Sequence, residues 1–120
     1  MTIVLTGFTS FGDVAVNPSQ LIVEQIAARH LPDVIAVVLP VEYRAVGHCI
    51  SDLIQTFQPD VVLCLGVAAS RQAIHLERVA LNLNDAAIPD NAGDLAVGRM
   101  IAPDGPLAYW STLPLDAMLA

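Results

Sequence analysis

The 120-residue chain contains no lysine. Five arginines carry all of its side-chain positive charge against twelve Asp and Glu, for a formal net charge of −7. Binding to nucleic acid or to an anionic membrane surface needs clustered Lys and Arg, and this chain has no basic patch. Acidity of this size serves solubility. Long hydrophobic runs are missing too. The longest, Val61 to Ala69, has nine residues, where about 20 are needed to span a bilayer. The opening MTIVLTGF has no charged leader region and reaches Gly7 too soon for a secretory signal. There are two cysteines, Cys49 on an apolar helical stripe and Cys64 inside an apolar strand-like run. This predicts buried thiols in a reduced, cytoplasmic protein.

Familiar chemical motifs are absent as well. Gly7 and Gly12 have phosphate-loop spacing, but Asp13-Val14 stands where Lys-Ser/Thr is required. GFTSFG lacks the G-x-G-x-x-G of a dinucleotide site. His75-x-Glu77 is not followed by the P-C-x-x-C of a zinc deaminase, and His30, His48 and His75 are too scattered to suggest a metal site. No G-x-S-x-G elbow occurs. Cys49 and His48 are neighbours, so they point about 100° apart around a helix, which is poor geometry for a nucleophile and its base.

What is present is a framework that is 55% hydrophobic and 14% charged, enough for one domain with a real core. Thr2 to Leu5 reads as a buried strand ending at Gly7. Asn17-Pro18-Ser19-Gln20 is a helix start with Asn as N-cap and Pro at N1; Leu21, Ile22 and Ile26 form its inner face, and Pro32 ends it. Val34 to Leu39 is a second strand. Val46, Ile50, Leu53, Ile54 and Phe57 repeat at the helical period between Tyr43 and Gln58, and VVLCLG is a third strand. Alternating strands and helices predict βαβ units with right-handed crossovers, hence an α/β fold with a mostly parallel central sheet. Ala73 to Leu83 reads as a further strand. Thr112 or Leu113 would cap a last helix with Pro114 at N1. That helix has only begun at Ala120 and no closing strand follows, so a single domain over residues 1–120, truncated on its C-terminal side, is expected.

Gly66 to Gly93 is a polar island in this framework, holding Glu77, Asn82, Asn84, Asp85, Asp90 and Asn91. Buried carboxylates and amides are costly without partners. On a strand, Glu77 would share a face with His75, Val79 and Leu81 and be desolvated. Two readings follow. Glu77 is either an ion-pair partner of Arg71 or Arg78, with Arg78 pointing to the opposite face, or an acid that orients a histidine for catalysis. Spacing alone leaves both open.

Three separated stretches resemble one family. Gly66-x-x-Ala69, Ile74 and Glu77-Arg78-Val79-Ala80-x-Asn82 are similar to the glutamate signature of pyroglutamyl peptidase I, the pyrrolidone-carboxylate peptidases. TGFTSFGDVAVNPS resembles that family's opening, and Asp85-Ala86 with Ile88-Pro89-Asp90-Asn91-x-Gly93 its DA-x-IPDN-x-G stretch. The resemblance implies a three-layer α/β/α fold and a cytoplasmic cysteine peptidase without metal or cofactor. It would remove N-terminal pyroglutamate from peptides and commonly assemble as a homotetramer. It implies that Glu77 is the acid of a Cys-His-Glu triad, with Phe8 and Phe11, and more weakly Ile88, lining the pyroglutamate pocket. The family's Cys and His motifs lie downstream of Ala120, and Ala87 stands where the family usually has Arg near the active site. The 120 residues are therefore expected to be inactive alone. The alternative is a non-catalytic fragment or pseudoenzyme that binds peptide or a partner subunit. A nucleoside-phosphorylase-like enzyme is disfavoured by the missing basic phosphate site.

Overall fold

Three charge-free apolar segments become the strands β1 (Ile3–Phe8), β2 (Val34–Leu39) and β3 (Val61–Cys64) in a computed structural model that describes residues 1–120. Their order is β2-β1-β3, and both pairings are parallel, with Leu5 opposite Ala36 and Leu63. Parallel neighbours need crossover connections, which helices supply. α1 (Pro18–Ala27) joins β1 to β2, and α2 (Tyr43–Phe57) joins β2 to β3. The two crossovers step across the sheet in opposite directions, so right-handedness assigns their helices to opposite faces. The α/β class with a parallel sheet is borne out.

By contact the chain divides into two compact units: Met1–Ala69 with Ile88–Leu95, and Ser70–Ala87 with Ala96–Ala120. In the first, the core is built from Val4, Leu5, Val23 and Leu39. α1 starts as its sequence dictates: Asn17 Oδ1 accepts from Ser19 N at 3.0 Å and from Ser19 Oγ at 2.7 Å, with Pro18 at N1. Its inner face differs from expectation. Ser19 and Val23 are buried and Ile26 half-buried, while Leu21 and Ile22 stand 46% and 48% exposed. The close approach at Gly7 explains the choice, because a small Ser19 lets the helix backbone reach β1 where larger side chains could not. The helix also stops before Pro32, with Ala28 as C-cap and His30 turning the chain at φ 49°.

The cysteines correct the expectation of burial. Cys64 is exposed and Cys49 half-buried, and both are free. β3 is a margin strand with a neighbour on one side only, so its apolar sequence does not guarantee coverage. The same holds for α2, which has no fully buried residue despite its regular stripe.

In the second unit, β4 (Val79–Leu81) pairs antiparallel with β5 (Ala108–Trp110), and α3 (Leu115–Leu119) follows with Leu115 buried. The strand expected over Ala73–Leu83 shrinks to three residues. Alternation specifies faces but a strand also needs a partner, and β5 supplies one only around residues 78–82, where Ser111 N donates to Arg78 O and Asn82 N to Leu107 O. Ile74, unpaired, is 93% exposed. Pro114 is itself the N-cap of α3 rather than its first residue, and in the turn before it Leu113 N donates to Ser111 Oγ. No helix is long and apolar enough to cross a membrane.

Candidate active site

In the first unit the candidate pocket residues sit where β1 runs into its loop. Phe8 ends β1 and is held by its own N–H, which donates to Ser19 Oγ at 3.0 Å. Thr9 N donates to Leu39 O, and Thr9 O accepts from Asn17 Nδ2, so the loop leaves the sheet along a fixed path. Phe11 and Val14 form an isolated bridge around Gly12, whose φ of 51° suits glycine. Ile88 Cδ1 lies 3.0 Å from where a Cβ on Gly12 would stand. The structure thus brings Ile88 against the loop that carries Phe11. Phe8 and Phe11 are half-buried and Ile88 is exposed, which leaves apolar surface open at this corner.

Ile88 is placed there by the Pro89–Gly93 turn. Asn91 N donates to Val41 O and Asn91 Nδ2 to Ser10 O, both at 2.9 Å. Asp90 is the hub. Its Oδ2 accepts from Tyr43 N at 2.7 Å, and its Oδ1 accepts from Ala92 N at 2.9 Å and Asp94 N at 2.8 Å. Tyr43 is the first residue of α2, and Glu42 at the N-cap makes no side-chain capping bond. Asp90 therefore caps α2 from 47 residues away in sequence. The Tyr43 N–H, and behind it those of Asp94, Ala92 and Gly93, hold the half-buried Asp90 carboxyl below its ordinary 3.8, against a desolvation that acts the other way. Sequence reasoning missed this role. The available signal was that Pro40-Val41-Glu42 offers no Ser, Thr, Asn or Asp before α2, so the cap had to come from elsewhere.

Because the folded-state pKa is lowered, the contribution of Asp90 is present above about pH 3.8 and is lost as pH falls through the lower folded value. Asp90→Asn is expected to lower the urea midpoint at pH 7, with the gap from the parent closing below pH 3.8. A gap of constant size from pH 7 to pH 3 would refute the cap. The nearby surface depression lined by Glu42, Arg44, Ala92, Gly93 and Asp94 contains neither Phe8 nor Phe11. Within it Arg44 and Asp94 form an ion pair at 3.5 Å.

Glu77 lies in the second unit, and its surroundings correct the expectation of a desolvated strand position. It precedes β4, its side chain is 70% exposed, and Arg71 Nη1 donates to its Oε1 at 2.6 Å. Arg78 pairs instead with Asp116, its Nη2 donating to Asp116 Oδ1 at 3.0 Å. The side-chain amides of Asn82 and Asn91 have structural partners. Buried Asn82 satisfies both ends of its side chain on Ala102, donating to its O at 2.7 Å and accepting from its N at 2.8 Å. The main chain of Asn84 exchanges two hydrogen bonds with that of Arg99, and Asp85 Oδ1 accepts from Gly98 N. No group of His, Cys, Asp and Glu is arranged to hold a metal ion.

Comparison with known proteins decides the relationship. The profile of the pyroglutamyl peptidase family matches residues 1–120. The chain belongs to the pyroglutamyl peptidase family. It is 40% identical to the pyrrolidone-carboxylate peptidases of Pseudomonas fluorescens and Streptococcus pyogenes, over 98% and 100% of its own length and 56% of theirs. A mutant pyrrolidone carboxyl peptidase from Pyrococcus furiosus is 35% identical with a TM-score of 0.93, and pyroglutamyl peptidase I from Bacillus amyloliquefaciens 38% identical with a TM-score of 0.88. These alignments cover 99% and 98% of this chain but 58% of either structure. This pyroglutamyl peptidase family chain thus spans somewhat over half the length of its relatives, and over that span it has their fold.

Proposed function

We propose that the protein acts as a cysteine-type omega peptidase, cytoplasmic and homo-oligomeric, that releases pyroglutamate from the N-terminus of peptides without metal or cofactor. The observation that carries this reading is the family match across every residue of the chain. In the reaction a thiolate attacks the pyroglutamyl carbonyl and forms an acyl-enzyme, a histidine passes its proton to the leaving amine, and water then releases the acid. Glu77 is the acid that orients that histidine. Neither cysteine of this chain has the nucleophile's part: Cys49 sits on the α2 stripe and Cys64 on β3. The thiol and imidazole belong to the portion of the family's length outside this match. Phe8, Phe11 and Ile88 are suited to a neutral, flat lactam ring, which needs apolar walls and no counter-charge.

Two assays test the reading. The 120-residue chain alone is expected to release no chromophore from pyroglutamyl-naphthylamide. A chimera that joins it to the remaining segment of the Pseudomonas relative is expected to hydrolyse that substrate. In the chimera, Phe8→Ala should raise KM about tenfold, the equivalent of ~1.4 kcal/mol of contact, with kcat less affected. A folded chimera without activity would overturn the peptidase reading. An unchanged KM would remove Phe8 from the pocket.

A further inference from the structure

We infer that Asn91 is a positioning residue that fixes the gap between two walls of the lactam pocket, and that this gap selects the five-membered ring over larger lactams. This role rests on the proposed peptidase function. The walls come from segments far apart in sequence. Phe11 sits on the loop that leaves β1, and Ile88 sits just before the Pro89–Gly93 turn. Thr9 anchors one end of the loop through Leu39 O, and buried Asn17 the other through its Nδ2 bond to Thr9 O. The bond from Val14 N to Phe11 O, at 2.9 Å, is internal to the loop. The tie between loop and turn is Asn91, whose Nδ2 donates to Ser10 O at 2.9 Å.

Asn91 holds the turn as well as the loop. Its own N–H donates to Val41 O at 2.9 Å, so both of its bonds reach outside the turn. Asp90 does not share this part, since its carboxylate binds Tyr43 N and the amides of Ala92 and Asp94. The two walls approach closely: Ile88 Cδ1 lies 3.0 Å from where a Cβ on Gly12 would stand. Phe8 is held separately by Ser19 Oγ, so the part that Asn91 governs is the Phe11 segment against Ile88. A fixed apolar wall rejects an extra methylene by roughly 10- to 200-fold, and a wall that yields accepts it. The Asn91 side chain is exposed, so its amide can be removed without opening a cavity in the core.

The test uses the chimera with the Pseudomonas segment and two substrates, the naphthylamides of pyroglutamate and of its six-membered lactam homologue. Asn91→Ala is expected to lower the preference for the five-membered ring in kcat/KM about fivefold, the weight of one hydrogen bond. Asn91→Asp keeps the shape of the side chain but loses the donor, and should act alike. In the 120-residue chain itself, Asn91→Ala should speed hydrogen exchange at the Val14 amide about fivefold while circular dichroism stays that of the parent. A merely structural role would lower both rates by the same factor. An active parent chimera whose ring preference is unchanged in both variants overturns the inference alone, as does unaltered exchange at Val14. So does a parent chimera that does not prefer the five-membered ring. A folded parent chimera without activity on either ring overturns the peptidase reading, and the role of Asn91 falls with it.

Discussion

Gly7→Ala is expected to destabilise the chain by about 3 kcal/mol, the upper end of the ordinary overpacking range. A Cβ at this position would stand 2.5 Å from Ser19 O, 2.8 Å from Ser19 C and 2.9 Å from Val23 Cγ2. Two of those atoms are helix backbone, so relief requires α1 to move rather than a side chain to turn. That movement would break a connected set of contacts: Phe8 N to Ser19 Oγ, the Asn17 cap, and the burial of Val23 against the sheet. Against a typical domain stability of about 5–15 kcal/mol, such a loss is large. Gly47→Ala supplies the control of opposite sign. Gly47 lies inside α2 with open space around its Cβ position, so alanine there should stabilise by up to ~1 kcal/mol through helix propensity. Urea unfolding of both variants checks the pair. Equal and small effects would show that the β1–α1 approach is not tight.

The strength of the sequence lies in local signals, and the structure separates those from signals that depend on a partner. Asn17-Pro18 fixed the start of α1 because a cap and a preset φ act within four residues. Val34–Leu39 and the two crossovers followed from hydrophobic period and length. The failures share a cause. Ala73–Leu83 alternates well, yet only β5 could make it a strand, and β5 reaches three of its residues. Cys64 occupies an apolar run, yet its exposure depends on which side of the sheet is left open. The capping of α2 depends on Asp90, which no local pattern connects to Tyr43.

The candidate pocket residues Phe8, Phe11 and Ile88 came from the family resemblance and not from spacing, and the structure adds the approach of Ile88 to Gly12, in a turn that the Asp90 hub holds. Reading the IPDN stretch as chemistry would have misplaced Asp90, whose three accepted hydrogen bonds hold the turn and α2 together. For Glu77, Arg71 was one of the two partners considered, and Arg78 pairs instead with Asp116. Its exposure was not legible, because desolvation was inferred from a strand that forms only beyond it.

That exposure makes Glu77→Gln a decisive substitution. In the chimera it is expected to lower kcat by about 10²- to 10⁴-fold, since a neutral amide no longer stabilises a cationic histidine or fixes its tautomer. Stability should hardly respond. An exposed ion pair such as Arg71–Glu77 contributes roughly 0–1 kcal/mol, and glutamine retains the length and a hydrogen-bond acceptor for Arg71. A merely structural glutamate would give the reverse pattern, a modest shift in the unfolding midpoint with kcat intact. Arg71→Ala resolves the remaining ambiguity. If Arg71 only positions the carboxylate, its loss should cost less than Glu77→Gln, about tenfold in kcat, and Arg71→Lys should recover part of it. Full activity in Glu77→Gln would remove Glu77 from the reaction and leave its ion pair with Arg71 as the whole of its role.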